Sequence, residues 1–300
     1  MRTPFTGLGT ALITPFAADG SVDEAAVRRL VRRQVEAGVH FVSPCGTTGE
    51  APVLSHTEKL RIVEIVIDEV AGRVPVLPGA GGYDTREVIE QARALEKLGA
   101  DGILSVTPYY NKPTQDGLYE HYKAIAGSTS LPIMLYNVPG RTGINLETKT
   151  VVRLAEIRNI VAVKEASANV IQMCEIYANT PEDFMLLGGD DPLTVAVMAI
   201  GGKGIVSVAS NAMPAEMVQI VELCEKNDFA GARKLHSWLL PFIQVNFVEA
   251  NPIPVKAAMA AMGLIEEQYR LPLVPPSAGA RARIMQVLQD LKMLGAAARI

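Results

Sequence analysis

The stretch NIVAVKEAS, residues 159–167, decides the fold because four consecutive apolar residues, Ile160 to Val163, end directly in a lysine. Short continuous apolar runs are typical of strands that are buried on both faces, as in parallel sheets. A lysine at the end of such a strand lies where catalytic groups gather in barrels of alternating strands and helices. The rest of the chain must therefore show whether such a barrel is present.

Apolar runs of the same kind recur along the chain and are bounded by glycine and proline, which favours buried parallel strands. The runs are GTALITPF (9–16), VHFVSP (39–44), VPVLPG (74–79), DGILSVTP (101–108), LPIMLYN (131–137), NIVAVK (159–164), FMLLGG (184–189) and KGIVSVAS (203–210).

The segments between these runs carry helix signals. Residues 23–37 place apolar side chains on one helical face, and Ser55 with Glu58 forms a capping box before the next helix. Alternating strands and helices predict an α/β fold, a (β/α)8 TIM barrel that forms the catalytic domain over residues 1–226. A doubly wound open sheet is the alternative, but it usually has a glycine-rich fingerprint after the first strand, and none is present here.

After residue 226 the alternation ends. Segments 228–247, 255–268 and 278–296 have helical patterns and are separated by proline-rich turns. We expect a C-terminal helical domain over residues 227–300 that covers the side of the barrel or builds a subunit contact.

Composition excludes several classes of partner. The net charge of −4 predicts no general attraction to nucleic acid or to an anionic membrane. Three cysteines without CxxC spacing favour neither a disulfide framework nor a zinc site, and they fit a reducing compartment. No apolar run approaches the roughly 18 residues that span a bilayer, and the N-terminus has no convincing signal peptide. We therefore predict a cytoplasmic protein.

The residues just past each predicted strand should meet at one end of the barrel. They are GTTGE (46–50), PYYNKP (108–113), YNVPGRTG (136–143), Lys164, GGDD (188–191) and the SVASN after the last strand. This set holds a lysine, several hydroxyls and an arginine, whereas the four histidines are scattered, so we expect no metal and no organic cofactor. Asp190 and Asp191 are interpreted as helix N-caps rather than as catalysts.

Lys164 is the candidate nucleophile. Burial at the barrel mouth disfavours the charged form of an amine, and a neutral amine can attack a ketone to form an imine. The alternative is a surface lysine that merely ends a strand.

Three other positions could assist such a lysine. The phenol of Tyr136 could relay protons, or its ring could simply pack. Thr47 and Thr48 lie in a glycine-flanked turn that could hold a carboxylate or be an ordinary β-turn. Arg141 could grip a carboxylate through two parallel hydrogen bonds, or it could face solvent. Together these residues predict carbonyl condensation by a lysine, with a proton relay and carboxylate holders.

At these same residues the sequence resembles the dihydrodipicolinate synthase family, within the wider group of pyruvate-dependent lyases. The motifs that carry the resemblance are GTTGE (46–50), PYYNKP (108–113), YNVPGRTG (136–143), VAVKEAS (161–167) and NPIPVK (251–256). They occur in the family's order, and the similarity spans nearly the whole chain.

The resemblance implies a lyase that condenses pyruvate with L-aspartate 4-semialdehyde to 4-hydroxy-tetrahydrodipicolinate in diaminopimelate and lysine biosynthesis. It also implies a (β/α)8 barrel with a C-terminal helical domain, assembled as a homotetramer that is a dimer of dimers.

The resemblance further implies roles for individual residues. Lys164 would form the Schiff base with pyruvate, and Tyr136 would shuttle protons. Thr47 would link Tyr136 to Tyr110, which the neighbouring subunit would supply.

The remaining roles concern substrate binding. Thr48 would help to hold the carboxylate of pyruvate, with Gly189 and Ile205 lining its pocket. Arg141 would anchor the carboxylate of the aldehyde.

Other functions remain open at this point. Sialic-acid lyases have a GSTGE-like sequence at the first loop and lack the arginine. Thr47 and Arg141 therefore favour the synthase over a pyruvate-releasing aldolase of N-acetylneuraminate or a 2-keto-3-deoxy acid. A non-catalytic metabolite-binding barrel is a second alternative. A flavin-binding barrel is a third, and only GGKG at residues 201–204 supports it.

Overall fold

The computed structural model describes residues 5–294, in which seven parallel strands form one sheet in the order β2-β1-β7-β6-β5-β4-β3. The strands are β1 (Gly7–Ala11), β2 (Phe41–Ser43), β3 (Ile103–Val106), β4 (Ile133–Asn137), β5 (Ile160–Glu165), β6 (Met185–Gly188) and β7 (Gly204–Ser207).

The predicted third strand, residues 74–79, is wrong as a regular strand. The segment makes two isolated parallel bridges, through Val76 to β2 and through Gly79 to β3. Pro75 and Pro78 have no N–H group, so they can only accept in a ladder, and prolines are avoided in central strands for this reason. Because the two bridges join the outer strands of the sheet, the segment still closes the ring, and the predicted (β/α)8-type barrel is confirmed.

Helices lie between the strands and beyond the last one. Their bounds are α1 (Glu24–Glu36), α2 (His56–Val70), α3 (Thr85–Leu98), α4 (Gln115–Ala126), α5 (Pro139–Thr142), α6 (Thr148–Ala155), α7 (Val170–Asn179), α8 (Thr194–Ala199), α9 (Pro214–Glu225), α10 (Phe229–Val245), α11 (Ile253–Ala261) and α12 (Ala278–Asp290).

Local sequence explains where several helices begin. The carboxylate of Asp23 accepts a hydrogen bond from the N–H of Ala26 and starts α1. Ser55 and Glu58 form the predicted capping box of α2, with hydrogen bonds of 3.2 and 2.8 Å. Such caps satisfy N–H groups that have no partner within the helix.

Side chains of the strands alternate between two apolar layers. A large layer packs between the sheet and the helices, and a smaller one fills the barrel interior. The interior includes Leu104, Met134, Tyr136 and Ala162. Because side chains alternate along a strand, Lys164 shares the interior face with Ala162.

The region after residue 226 is helical, as predicted. Helix α11 ends seven residues before its predicted end at residue 268, because Gly263 with φ +76° follows it and breaks the helix. The last two residues of the predicted third helix, 295–296, lie outside the described residues. The domain boundary at residue 226 stays a prediction. Within residues 5–294, no helix has both the length and the apolar character that crossing a membrane requires.

Candidate active site

Lys164 and Tyr136 face each other at the ends of neighbouring strands. Their Cα atoms are register partners between β5 and β4, and Lys164 Nζ lies 4.1 Å from the centroid of the Tyr136 ring. The residues are only 5% and 7% exposed. An amine held over an aromatic face is attracted by the ring's electron density when it is charged. The structure therefore holds the amine in the barrel interior beside a phenol.

Gly189 allows β6 to end directly against the stem of Lys164. A Cβ atom at this position would lie 2.7 Å from Lys164 Cε and 3.0 Å from Lys164 Cγ. It would also lie 2.8 Å from Ala166 Cβ, so any larger residue would have to displace the lysine side chain or the main chain beside it.

Ile205 is fully buried on β7 and is the register partner of Gly188. Its side chain packs in the outer layer, between the sheet and the helices. It therefore turns away from the interior that holds Lys164, and only its main chain is left to line the pocket.

The turn that contains Thr47 and Thr48 is tied to the C-terminal region. Thr48 is buried, and its Oγ1 accepts a hydrogen bond of 2.9 Å from Asn251 Nδ2. Thr47 is half-buried and lines a cavity. The backbone on either side of the turn is left-handed at Cys45 (φ 57°) and Glu50 (φ 54°), which fixes the direction of the turn.

The cavity beside this turn has a volume of about 270 Å³, and Thr47, Tyr136 and Arg141 are among its walls. This is slightly below the roughly 300–1,000 Å³ that is usual for ligand pockets, so a small metabolite fits it best. Lys164 is not itself among the walls in the described chain, but its amine lies over the ring of Tyr136.

Arg141 lies on the short helix α5 with an exposed side chain. Its Nη2 donates a hydrogen bond of 3.2 Å to the carbonyl of Asn251. Asn251 thus contacts both Arg141 and Thr48, the two predicted carboxylate holders. The sequence alone does not identify Asn251 as a site residue, although it begins the motif NPIPVK.

Tyr110 stands apart from the other site residues. It is 90% exposed, has φ +70°, and is not among the cavity walls formed by the described residues. Its neighbour Tyr109 does line the cavity and stacks edge-on against Tyr83, with ring centroids 5.3 Å apart.

The expectation that Asp190 and Asp191 are helix N-caps is confirmed by position for Asp190, which precedes the short 3₁₀ helix Asp191–Leu193, and is wrong for Asp191. Neither side chain makes a capping hydrogen bond. Asp191 is buried, and its Oδ2 accepts from the N–H groups of Val208 and Ala209, both at 2.9 Å. Burial raises the pKa of Asp191, and these hydrogen bonds oppose that shift. The residue thus joins the end of β6 to the end of β7.

No three His, Cys, Asp or Glu side chains within residues 5–294 cluster in a way that could hold a metal ion.

Comparison with known proteins places the chain in a family. Residues 4–291 match the model of the dihydrodipicolinate synthetase family. The chain is 51% identical to the 4-hydroxy-tetrahydrodipicolinate synthase of Koribacter versatilis over 289 residues, which cover 96% of each protein.

Solved structures of dihydrodipicolinate synthases also resemble this chain over nearly its whole length. Dihydrodipicolinate synthase from Aquifex aeolicus superposes with a TM-score of 0.95 at 41% identity, over 97% of this chain and 100% of that one. A monomeric dihydrodipicolinate synthase variant superposes with a TM-score of 0.95 at 42% identity, over 97% of this chain and 98% of that one.

Proposed function

The chain belongs to the dihydrodipicolinate synthetase family, and from that premise we propose how its residues share the work of catalysis. Its activity is that of a 4-hydroxy-tetrahydrodipicolinate synthase, a carbon–oxygen lyase of lysine and diaminopimelate biosynthesis that joins pyruvate to L-aspartate 4-semialdehyde. The relatives favour this activity over that of a sugar-acid lyase. The observation that carries the residue assignments is the buried amine of Lys164 over the ring of Tyr136.

The first step is formation of an imine. Neutral Lys164 attacks the keto carbon of pyruvate, and water leaves as the C=N bond forms. The interior position of Lys164 supports this role, because it brings the amine next to Tyr136, which can transfer protons to and from the reacting groups.

The second step forms the new carbon–carbon bond. The protonated imine withdraws electrons from the methyl group of pyruvate. This group therefore loses a proton to the relay that includes Tyr136, and an enamine results. The enamine carbon attacks the aldehyde, and Tyr136 returns a proton to the alkoxide. The amino group of the product then displaces Lys164 and closes the ring. The lysine acts as the electron sink, so the reaction needs no organic cofactor.

Four residues hold the substrates in this proposal. Thr48 binds the carboxylate of pyruvate, with Gly189 and the main chain of Ile205 beside it. Arg141 binds the carboxylate of the aldehyde through guanidinium N–H groups that its hydrogen bond to Asn251 does not use.

Borohydride trapping tests the central assignment. Reduction in the presence of pyruvate should attach the reduced pyruvyl group to Lys164, and peptide mass spectrometry locates the label. A Lys164→Met variant should take up no label and should lose activity while remaining folded. A label on another lysine of the wild type would contradict the assignment.

We also propose that the enzyme is a homotetramer, a dimer of dimers, in which Tyr110 enters the site of the neighbouring subunit. The support is the 90% exposure of this tyrosine in a chain whose other proposed catalytic residues, Lys164, Tyr136 and Thr47, are buried or half-buried. A cytoplasmic location belongs to the same proposal and is supported by the free thiols of Cys45, Cys174 and Cys224.

Subunit mixing tests the contribution of Tyr110. Lys164→Ala and Tyr110→Phe variants, each of low activity, are dissociated, mixed and reassembled. A hybrid dimer combines Lys164 of one subunit with Tyr110 of the other, so activity should reappear on mixing. If activity stays low in verified hybrids, Tyr110 does not act across an interface.

A further inference from the structure

A second pair of residues lies directly behind Lys164 and Tyr136 on the sheet. Glu165 and Asn137 follow them in β5 and β4 and are also register partners. Because successive side chains of a strand point to opposite faces, this second pair faces the helices rather than the barrel interior. Asn137 Nδ2 donates a hydrogen bond of 2.9 Å to Glu165 Oε2.

Glu165 is a buried carboxylate whose hydrogen-bond partners are uncharged. The residue is 0% exposed. Its Oε1 accepts from the N–H of Ser167 at 2.7 Å, and its Oε2 accepts from Gln172 Nε2 at 3.0 Å as well as from Asn137. In the described part of the chain these three neutral N–H groups are its hydrogen-bond donors, and none belongs to a lysine or arginine. Burying a carboxylate without a cation is unfavourable, so a role other than stability accounts better for its presence.

The hydrogen bonds continue to the loop that carries Arg141. Asn137 Oδ1 accepts from the N–H of Leu146 at 2.9 Å, and Asn137 Nδ2 also donates to Asn145 Oδ1 at 2.8 Å. Asn145 in turn donates to Gln172 Oε1 at 2.8 Å. Asn137 and Asn145 flank residues 138–144, which include Arg141. Both are thereby linked to the carboxylate of Glu165, Asn137 directly and Asn145 through Asn137 and Gln172.

The main chain at Glu165 is also linked to the amine's surroundings. The carbonyl of Glu165 accepts from the N–H of Gly189 at 2.8 Å, and the N–H of Ala166 donates to the carbonyl of Asn137 at 2.9 Å. Gly189 packs against the stem of Lys164. A shift of the Glu165 main chain would therefore also move Gly189, which packs against the lysine stem.

We propose that Glu165 is a positioning residue for the condensation. Its carboxylate, acting through Asn137 and Gln172, keeps Tyr136 opposite Lys164 and holds in place residues 138–144, which include Arg141. It acts from the outer face of the sheet and does not touch the substrate. The inference rests on the proposed roles of Lys164 and Tyr136.

Glu165→Gln tests the inference with almost no change in volume. The new amide must point an N–H group at a group that itself donates, so at least one hydrogen bond is lost. We expect kcat to fall by about 10²-fold, the effect of misplacing a catalytic group by about an ångström, with the KM for pyruvate nearly unchanged. In a Tyr136→Phe background the same substitution should lower kcat by much less than in the wild type, because one of the groups that Glu165 positions is already absent.

Thr10→Val is the matched control. Thr10 is a buried strand residue whose hydroxyl donates a hydrogen bond of 2.8 Å to Gln34 on α1, remote from Tyr136 in the sheet order. This variant also loses a buried hydrogen bond, so it should lower the Tm but leave kcat close to the wild-type value.

Three results would overturn the inference: an unchanged kcat in Glu165→Gln, an equal fall of kcat in Thr10→Val, or a full additional loss in the Tyr136→Phe background. If Glu165→Gln does not fold, Gln172→Leu removes one donor from the same carboxylate and is run through the same cycle. Failure of the proposed function is recognised separately, since wild-type enzyme would then not be labelled at Lys164 by pyruvate and borohydride.

Discussion

Lys256 and Glu50 form an ion pair in which Lys256 Nζ lies 2.5 Å from Glu50 Oε1, and both side chains are fully buried. Lys256 belongs to α11, and Glu50 follows directly on the turn that carries Thr47 and Thr48. Burial lowers the pKa of Lys256, and the charge of Glu50 opposes that shift. The pair therefore fastens the C-terminal helices to the turn of the active site.

Breaking this ion pair should destabilise the protein strongly. Lys256→Met leaves the carboxylate of Glu50 buried and unpaired, which is expected to reduce the free energy of unfolding by about 3–5 kcal/mol. Thermal or urea unfolding measures the loss. Arg281→Met is the control, because its ion pair with Glu267 is partly exposed and should contribute about 1 kcal/mol or less. Equal losses in both variants would contradict the interpretation.

A methyl group at residue 189 should disable the lysine. In Gly189→Ala the added Cβ would lie 2.7 Å from Lys164 Cε and 2.8 Å from Ala166 Cβ, so the lysine stem or the main chain beside it must shift and misplace the amine. We expect kcat/KM to fall by about 10²-fold or more, together with slower borohydride labelling by pyruvate. Gly279→Ala, where an added Cβ would meet nothing within 4 Å, should behave as wild type. Normal labelling of Gly189→Ala would show that the contact is harmless.

His121 should make stability depend on pH. Burial lowers the pKa of His121 to about 4 from an ordinary value of 6.5, so the folded protein favours the neutral ring. Its stabilising contribution is complete above pH 6.5, is lost as the pH falls towards 4, and amounts to about 3 kcal/mol.

His121→Asn provides the comparison, because an amide can keep the hydrogen bond to Thr85 Oγ1, which is 2.9 Å from the ring, without titrating. The Tm of the wild type should fall more steeply than that of this variant between pH 6.5 and 4. Parallel curves would contradict the assignment.

Asn246 is a candidate for stabilisation. It is 0% exposed, and neither polar atom of its side chain has a hydrogen-bond partner within residues 5–294. Replacing such a group with an apolar one of similar size removes a desolvation penalty of about 1–3 kcal/mol, so Asn246→Leu should raise the Tm.

Asn211 is the matched control for this substitution. It is equally buried, but its side chain accepts from the N–H of Ile13 and donates to the carbonyl of Ala11. Asn211→Leu should therefore lower the Tm. The explanation fails if both substitutions change stability in the same direction.

The sequence alone predicts those features of the fold that depend on residues close together along the chain. Continuous apolar runs identify the strands, and strands in chain order place Tyr136 and Lys164 side by side. The strand predicted at residues 74–79 is irregular, because the apolar content of this run indicates a strand while its two prolines prevent a regular hydrogen-bond ladder.

Contacts between distant residues could not be predicted in this way. Asn251 binds Thr48 across 203 positions, and Lys256 binds Glu50 across 206. Asp191 similarly binds N–H groups that only the folded barrel brings to it. Each depends on the final packing of the helices, and no local pattern encodes it.

The segment at residues 74–79 also affects how the barrel meets other chains. An open seam here would expose unpaired backbone groups, which template pairing with another chain. Pro75 and Pro78 have no N–H group to donate. Their carbonyls accept hydrogen bonds from the N–H groups of Val42 and Leu104 and so help to close the ring. The closed seam therefore leaves β2 and β3 with backbone partners instead of free edges on which a second copy could pair.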